Sequence, residues 1–111
     1  VWVMSPSGGE DRLLVRGRTG DVGIMPLMPY WSADSRTIYY KGYDEQERSS
    51  IWAVPLAGGT PRPLIRFDDP ARPSTRREFA TDGKRLYFVI AEPQSDIWLM
   101  ELLPGGASSR R

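Results

Sequence analysis

The sequence predicts an all-β chain, and three observations carry that expectation. The first is internal repetition. Val1-Trp2-Val3-Met4-Ser5-Pro6-Ser7-Gly8-Gly9 is echoed fifty positions later by Ile51-Trp52-Ala53-Val54-Pro55-Leu56-Ala57-Gly58-Gly59, and a third copy opens at Ile97-Trp98-Leu99-Met100-Glu101-Leu102. Between these copies, Trp31-Ser32-Ala33-Asp34-Ser35-Arg36-Thr37-Ile38-Tyr39-Tyr40 returns at an offset of forty-eight as Phe79-Ala80-Thr81-Asp82-Gly83-Lys84-Arg85-Leu86-Tyr87-Phe88. The second observation is local: short runs of β-branched and aromatic residues alternate with turns of small polar residues and glycine. The third is punctuation, because ten prolines and eleven glycines leave no stretch long enough for a stable helix. A period of roughly 40 to 50 residues made of short aromatic strands and Gly-rich turns is the pattern of a β-propeller blade.

The complete unit, 27–67, reads as four strands. Residues 27–31 form the first, and Ser32-Ala33-Asp34-Ser35 is a turn of small polar residues. Residues 37–41 form the second, and the polar loop 42–50 leads to the third at 51–56. Ala57-Gly58-Gly59-Thr60 is a hairpin turn whose glycines supply positive φ, and 63–67 is the fourth strand. Before this unit, residues 1–17 are the end of another blade, with strands at 1–4 and 12–15. After it, residues 78–102 form a last blade with strands at 78–80, 85–91 and 97–102, lacking its outer strand, and 103–111 is a tail. Val1–Met4, Ile51–Val54 and Leu86–Ala91 are apolar without alternation. Such runs demand burial on both faces, which blades stacked around an axis provide. Trp2, Trp52 and Trp98 are expected to fill the space between neighbours. About two blades are fewer than the roughly four to eight that close a ring, so the expectation is a fragment of a larger propeller. As an open arc it should be marginally stable and self-associate.

Composition narrows the chemistry. Fifteen basic residues against fourteen acidic ones give a net charge of +1, so no global field favours nucleic acid. No apolar run reaches the roughly 20 residues that span a bilayer. The chain has no cysteine and no histidine, which removes disulfides, thiolate nucleophiles, the usual zinc ligands and every His-based general base. No catalytic, metal-binding or cofactor-binding constellation is expected in these residues.

The phrases Trp31-Ser32-x-Asp34-x-Arg36-x-Ile38-Tyr39-Tyr40 and Phe79-x-x-Asp82-Gly83-Lys84-Arg85-Leu86-Tyr87-Phe88 resemble the core of TolB-like propeller repeats. The Ile-Trp-x-(Val/Met) phrases, two of them followed closely by Gly-Gly, are similar to that family's second signature. Ala33 and Thr81 stand where the family has proline, and Ser35 where it has glycine. The resemblance implies a bacterial parent of six or seven blades in the periplasm or another extracytoplasmic space, and repeat architecture without a catalytic constellation points to a non-catalytic protein- or ligand-binding scaffold, with a protein or peptide as the expected partner. It also implies two rivals. One is the gating propeller of a prolyl-oligopeptidase-like serine peptidase, which a GxSxG elbow in the parent would establish. The other is the extracytoplasmic sensor of a Ser/Thr kinase.

Candidate sites divide by spacing. Asp34 and Asp82 occupy equivalent positions in different units, so they read as turn caps and not as a catalytic pair. The Gly-Gly pairs at 8–9, 58–59 and 105–106 lack the following helix and Lys-Ser/Thr of a phosphate loop, and read as hairpin turns. The acidic runs Asp44-Glu45-Gln46-Glu47 and Asp68-Asp69 lack the spacing of a calcium loop. Loops joining second to third strands, and fourth to the next first, share one face of a propeller. Tyr43, Arg48, Arg72, Arg76 and Arg77 lie on those loops and form either a partner-binding face or a charged, solubilising surface.

Overall fold

A computed structural model describes residues 1–17, 25–44, 46 and 48–100. Among these residues the chain is all-β, with eight antiparallel strands in three sheets and no helix. β1 (Trp2–Val3) pairs with β2 (Arg12–Leu13). β3 (Met25–Trp31), β4 (Thr37–Tyr43), β5 (Ser49–Pro55) and β6 (Arg62–Arg66) form a four-stranded sheet in sequence order. β7 (Phe79–Thr81) and β8 (Leu86–Phe88) form the third sheet.

The middle sheet is held by an unbroken β4–β5 ladder, which pairs Ile38 with Val54, Tyr40 with Trp52 and Lys41 with Ile51. Six of the seven residues of β5 are buried. Burial on both faces of one strand requires neighbours on both sides, and the two cores supply them. On one face Ile38, Tyr40, Trp52 and Val54 pack with Val1, Leu14 and Val15, which flank the N-terminal strands β1 and β2. On the other, Ile51, Phe67, Tyr30 and Tyr39 pack with Phe79, Leu86 and Phe88. Edge-on aromatic contacts cross this second seam, Tyr30 to Phe79 at 4.8 Å and Phe67 to Phe88 at 5.0 Å. The middle sheet is thus covered on both faces, by residues beside β1 and β2 on one and by the β7–β8 sheet on the other.

The sequence repeat is also a conformational repeat. Gly8 and Gly9 have φ of 82° and 122°, and their counterparts Gly58 and Gly59 have 99° and 124°. In each turn the first glycine's N–H donates to the carbonyl three residues back, Gly8 to Ser5 at 3.0 Å and Gly58 to Pro55 at 2.9 Å. Ser35 takes φ 56° where its counterpart Gly83 takes 86°. Ser35 therefore occupies a left-handed position that glycine adopts more easily. β3 carries a bulge between Leu27 and Tyr30, with Met28 at φ 51°.

Four expectations need correction. The strand expected at 85–91 ends at Phe88, because loop 72–76 takes over the next residues. Ala91 N–H donates to Pro73 O at 2.8 Å and Ser74 Oγ donates to Val89 O at 2.6 Å. Pro73 has no N–H with which to continue the ladder. No strand forms over 97–100, the described part of the expected strand 97–102; residues 101–102, the Gly105-Gly106 turn and the tail 103–111 lie outside the described residues. Strands β1 and β2 are shorter than the expected 1–4 and 12–15. Of the three tryptophans expected to fill inter-sheet space, only Trp52 is buried. Trp2 is 63% and Trp98 90% exposed, since no described sheet lies beyond Trp2 and Trp98 has no strand partner.

Candidate functional site

The loop between β4 and β5 is built on Asp44. Its Oδ1 accepts the N–H groups of Gln46 at 3.0 Å and Arg48 at 2.9 Å. Its Oδ2 accepts from Arg48 Nε at 2.8 Å and forms an ion pair with the same guanidinium. Burial would raise the Asp44 carboxyl, but the Arg48 N–H and guanidinium outweigh it and hold the group below the usual range. The facing loop, 67–78, turns on Asp69, whose Oδ1 accepts from Ala71 N–H at 2.9 Å.

The two loops are bonded to each other. Ser49 Oγ donates to Ser74 O at 2.8 Å, and Tyr43 OH lies 3.2 Å from Thr75 O and 3.1 Å from Arg76 O. Beneath them Lys41 is fully buried. Its Nζ donates to Ser74 Oγ at 2.6 Å and to Arg76 O at 2.5 Å, and lies 5.2 Å from the Phe67 ring centroid. Burial drives the ammonium down to about 8, with the charge of Glu78 acting in the opposite sense. Burial also raises Tyr43.

A cleft of about 170 Å³ opens between the loops, lined among others by Arg48, Ser49, Phe67, Asp68, Ser74 and Thr75. Of the five residues singled out in the sequence, Arg48 alone lines it. Tyr43 braces the loop behind, and Arg72 is paired at the surface with Glu92 at 2.9 Å. Arg76 offers its backbone carbonyl inward, and the Arg77 guanidinium acts on Tyr43 from an exposed position. Sequence reasoning missed Lys41, Ser49 and Ser74. The available signal was strand phase, which places Lys41 on the same face as Tyr39 and Tyr43 in a strand sandwiched between two sheets.

The equivalent aspartates are each spent within their own turns. Asp34 Oδ1 accepts from Ser32 Oγ at 2.6 Å and Arg36 N–H at 3.1 Å. Asp82 Oδ1 accepts from Lys84 and Arg85 N–H at 2.8 and 2.7 Å, and its Oδ2 from Tyr87 OH at 2.8 Å. These donors, led by the Ser32 hydroxyl and the Lys84 N–H respectively, depress both carboxyls. Among the described residues no group of three or more His, Cys, Asp or Glu side chains is placed to hold a metal, and no helix is long and apolar enough to cross a membrane.

Comparison with family models, curated proteins and solved structures finds no match for this chain.

Proposed function

We propose that this chain forms blades of a TolB-like β-propeller and serves as a non-catalytic scaffold. It binds a protein or peptide through the surface made by the 43–49 and 67–77 loops, in the periplasm or another extracytoplasmic compartment. The observation that carries the binding reading is the cleft between two loops from successive units, braced by Tyr43, Ser49 and the buried Lys41. Preformed concavity held by hydrogen bonds lowers the ordering cost of binding. The size favours a peptide over a metabolite. At about 170 Å³ the cleft is smaller than the roughly 300–1,000 Å³ typical of small-molecule pockets, and suits one inserted side chain. Packing of neighbouring segments against both faces of the middle sheet and the repeated turn conformations support the propeller reading.

The test is selection of a displayed peptide library on the chain, followed by amide chemical-shift mapping. Shifts confined to 43–49 and 67–77, and abolished by the cleft-filling Thr75→Trp, are the expected result. Selected peptides that shift other faces, or bind the filled variant equally, would refute the assignment.

A further inference from the structure

The third copy of the repeat is the one that forms no strand among the described residues. Ile97, Trp98, Leu99 and Met100 are 83–100% exposed and unpaired, whereas the equivalent Ile51, Trp52, Ala53 and Val54 are all buried in β5. The strand they would pair with inside the repeat is also open. Among the described residues β8 pairs with β7 alone, so its other edge presents backbone groups with no strand partner there.

The middle sheet specifies how donor and edge would meet. There Tyr40 pairs with Trp52 and Lys41 with Ile51. Carrying each residue forward by its own repeat offset (48 and 46) sets Phe88 opposite Trp98 and Val89 opposite Ile97. The transfer can be checked on the other side of the same strand. Met25 pairs with Tyr43, their counterparts are Pro73 and Ala91, and Ala91 N–H does donate to Pro73 O at 2.8 Å.

The connection resists return within one chain. In the middle sheet Tyr43 pairs with Ser49 across a five-residue loop that the Asp44 carboxylate closes. The counterpart pair, Ala91 and Ser95, is separated only by Glu92-Pro93-Gln94, two residues fewer and with no aspartate. Pro93 steers Glu92 towards extended backbone, and Glu92 is already paired with Arg72. A short, stiff hinge beside an apolar strand favours exchange between copies over a tight hairpin.

We propose that Ile97–Met100 docks as a third strand on the β8 edge of a second copy of this chain, giving a two-fold, strand-exchanged dimer. In that register Trp98 and Met100 join Leu86 and Phe88 on the face turned to the middle sheet, and backbone pairing supplies the specificity. The inference rests on the repeat register and is independent of ring closure or of the peptide-binding surface.

Because the chain has no cysteine, Val89→Cys and Ile97→Cys can be carried on separate molecules and mixed under a glutathione redox buffer. The expected result is a V89C–I97C disulfide-linked heterodimer in excess over both homodimers. Light scattering of the unmodified chain should give twice the monomer mass, and Trp98→Asp should halve it. Trp98 is 90% exposed in the single chain, so the variant should still unfold cooperatively, losing only the strand signal of the docked segment. Three results would overturn the proposal. These are a monomer at hundreds of micromolar, an intramolecular disulfide in the V89C/I97C double variant without heterodimer in the mixture, or a dimer that survives Trp98→Asp.

Discussion

Replacing Lys41 by methionine should remove most of the alkaline rise in this protein's stability. The folded state holds the ammonium at about 8, against 10.5 for the free side chain. Between those values the unfolded chain binds the proton more tightly, so stability increases with pH across that window. Put the other way, stability is lost as pH falls from 10.5 to about 8, and the loss is complete below the folded value. Integrating the two titrations gives a gain of about 2 kcal/mol between pH 7 and pH 9.5. Tyrosines limit the window from above. Burial pushes Tyr40 up to about 12, so stability falls once unfolded tyrosines ionise near 10.

The assay is urea unfolding followed by tryptophan fluorescence, repeated across that range. With a urea slope of about 1–2 kcal/mol/M, the wild-type midpoint should rise by roughly 1–2 M. The Lys41→Met midpoint should stay nearly flat. Methionine fills similar volume and leaves the β4–β5 ladder intact, so the comparison isolates the charge. A variant that keeps the wild-type slope would show that Lys41 is not the titrating group. A flat wild type would show that the ammonium is solvated and not confined under the 74–76 loop.

Gly83→Ala should cost about 1–2 kcal/mol for its left-handed backbone at φ 86° and about 1–3 more for overpacking, since the added Cβ would lie 2.8 Å from the Ala33 Cβ. Gly8→Ala, with φ 82° and open space around it, should cost only the first amount, and equal melting losses for the two would refute the contact. Tyr40→Phe should stabilise by about 1 kcal/mol in urea titration, because its buried hydroxyl has no partner among the described residues and the repeat itself places Phe88 at the equivalent position. Arg72→Ala should change stability by less than about 0.5 kcal/mol, since both members of its pair with Glu92 are more than half exposed. A larger loss would mean that this bridge anchors the loop.

Much of the fold was legible because the chain states its pattern more than once. The second and third strands of the middle unit followed from Ile38-Tyr39-Tyr40 and Ile51-Trp52-Ala53-Val54, whose apolar continuity demanded neighbours on both faces. The turns followed from Asp34, Asp82 and the glycine pairs, which act within a few residues of themselves. Contacts that depend on sheets meeting across the chain were not legible. Nothing near Lys41 in sequence marks Ser74 and Arg76 as its acceptors, thirty-three and thirty-five positions away. Repetition also misled: Ile97-Trp98 reads like Ile51-Trp52, yet it has no strand partner among the described residues. Of the candidate binding residues, loop membership was readable, but side-chain direction was not, and only Arg48 reaches the cleft.

Repetition raises a problem of its own, to which Lys41 is an answer. Sheets with near-identical phrases present similar apolar faces, so a sheet has more than one plausible neighbour and more than one docking register. The seam between the first and middle sheets is filled by Val15, Ile38, Tyr40, Trp52 and Val54, a cluster with little directionality. The opposite seam contains a buried ammonium, which is tolerable only where Ser74 Oγ and the Arg76 carbonyl accept its protons. A one-residue slip of β4 would turn Lys41 to the other face, away from both acceptors. The charge therefore lowers stability at neutral pH while penalising every arrangement but one. Lys41→Met should then relax uniqueness as well as pH dependence. Amide resonances of residues 74–76 and 86–88 should double or broaden in the variant, while those of Ile38 and Val54 stay sharp. A single sharp set throughout would leave Lys41 with a local role in the loop and none in choosing the neighbour.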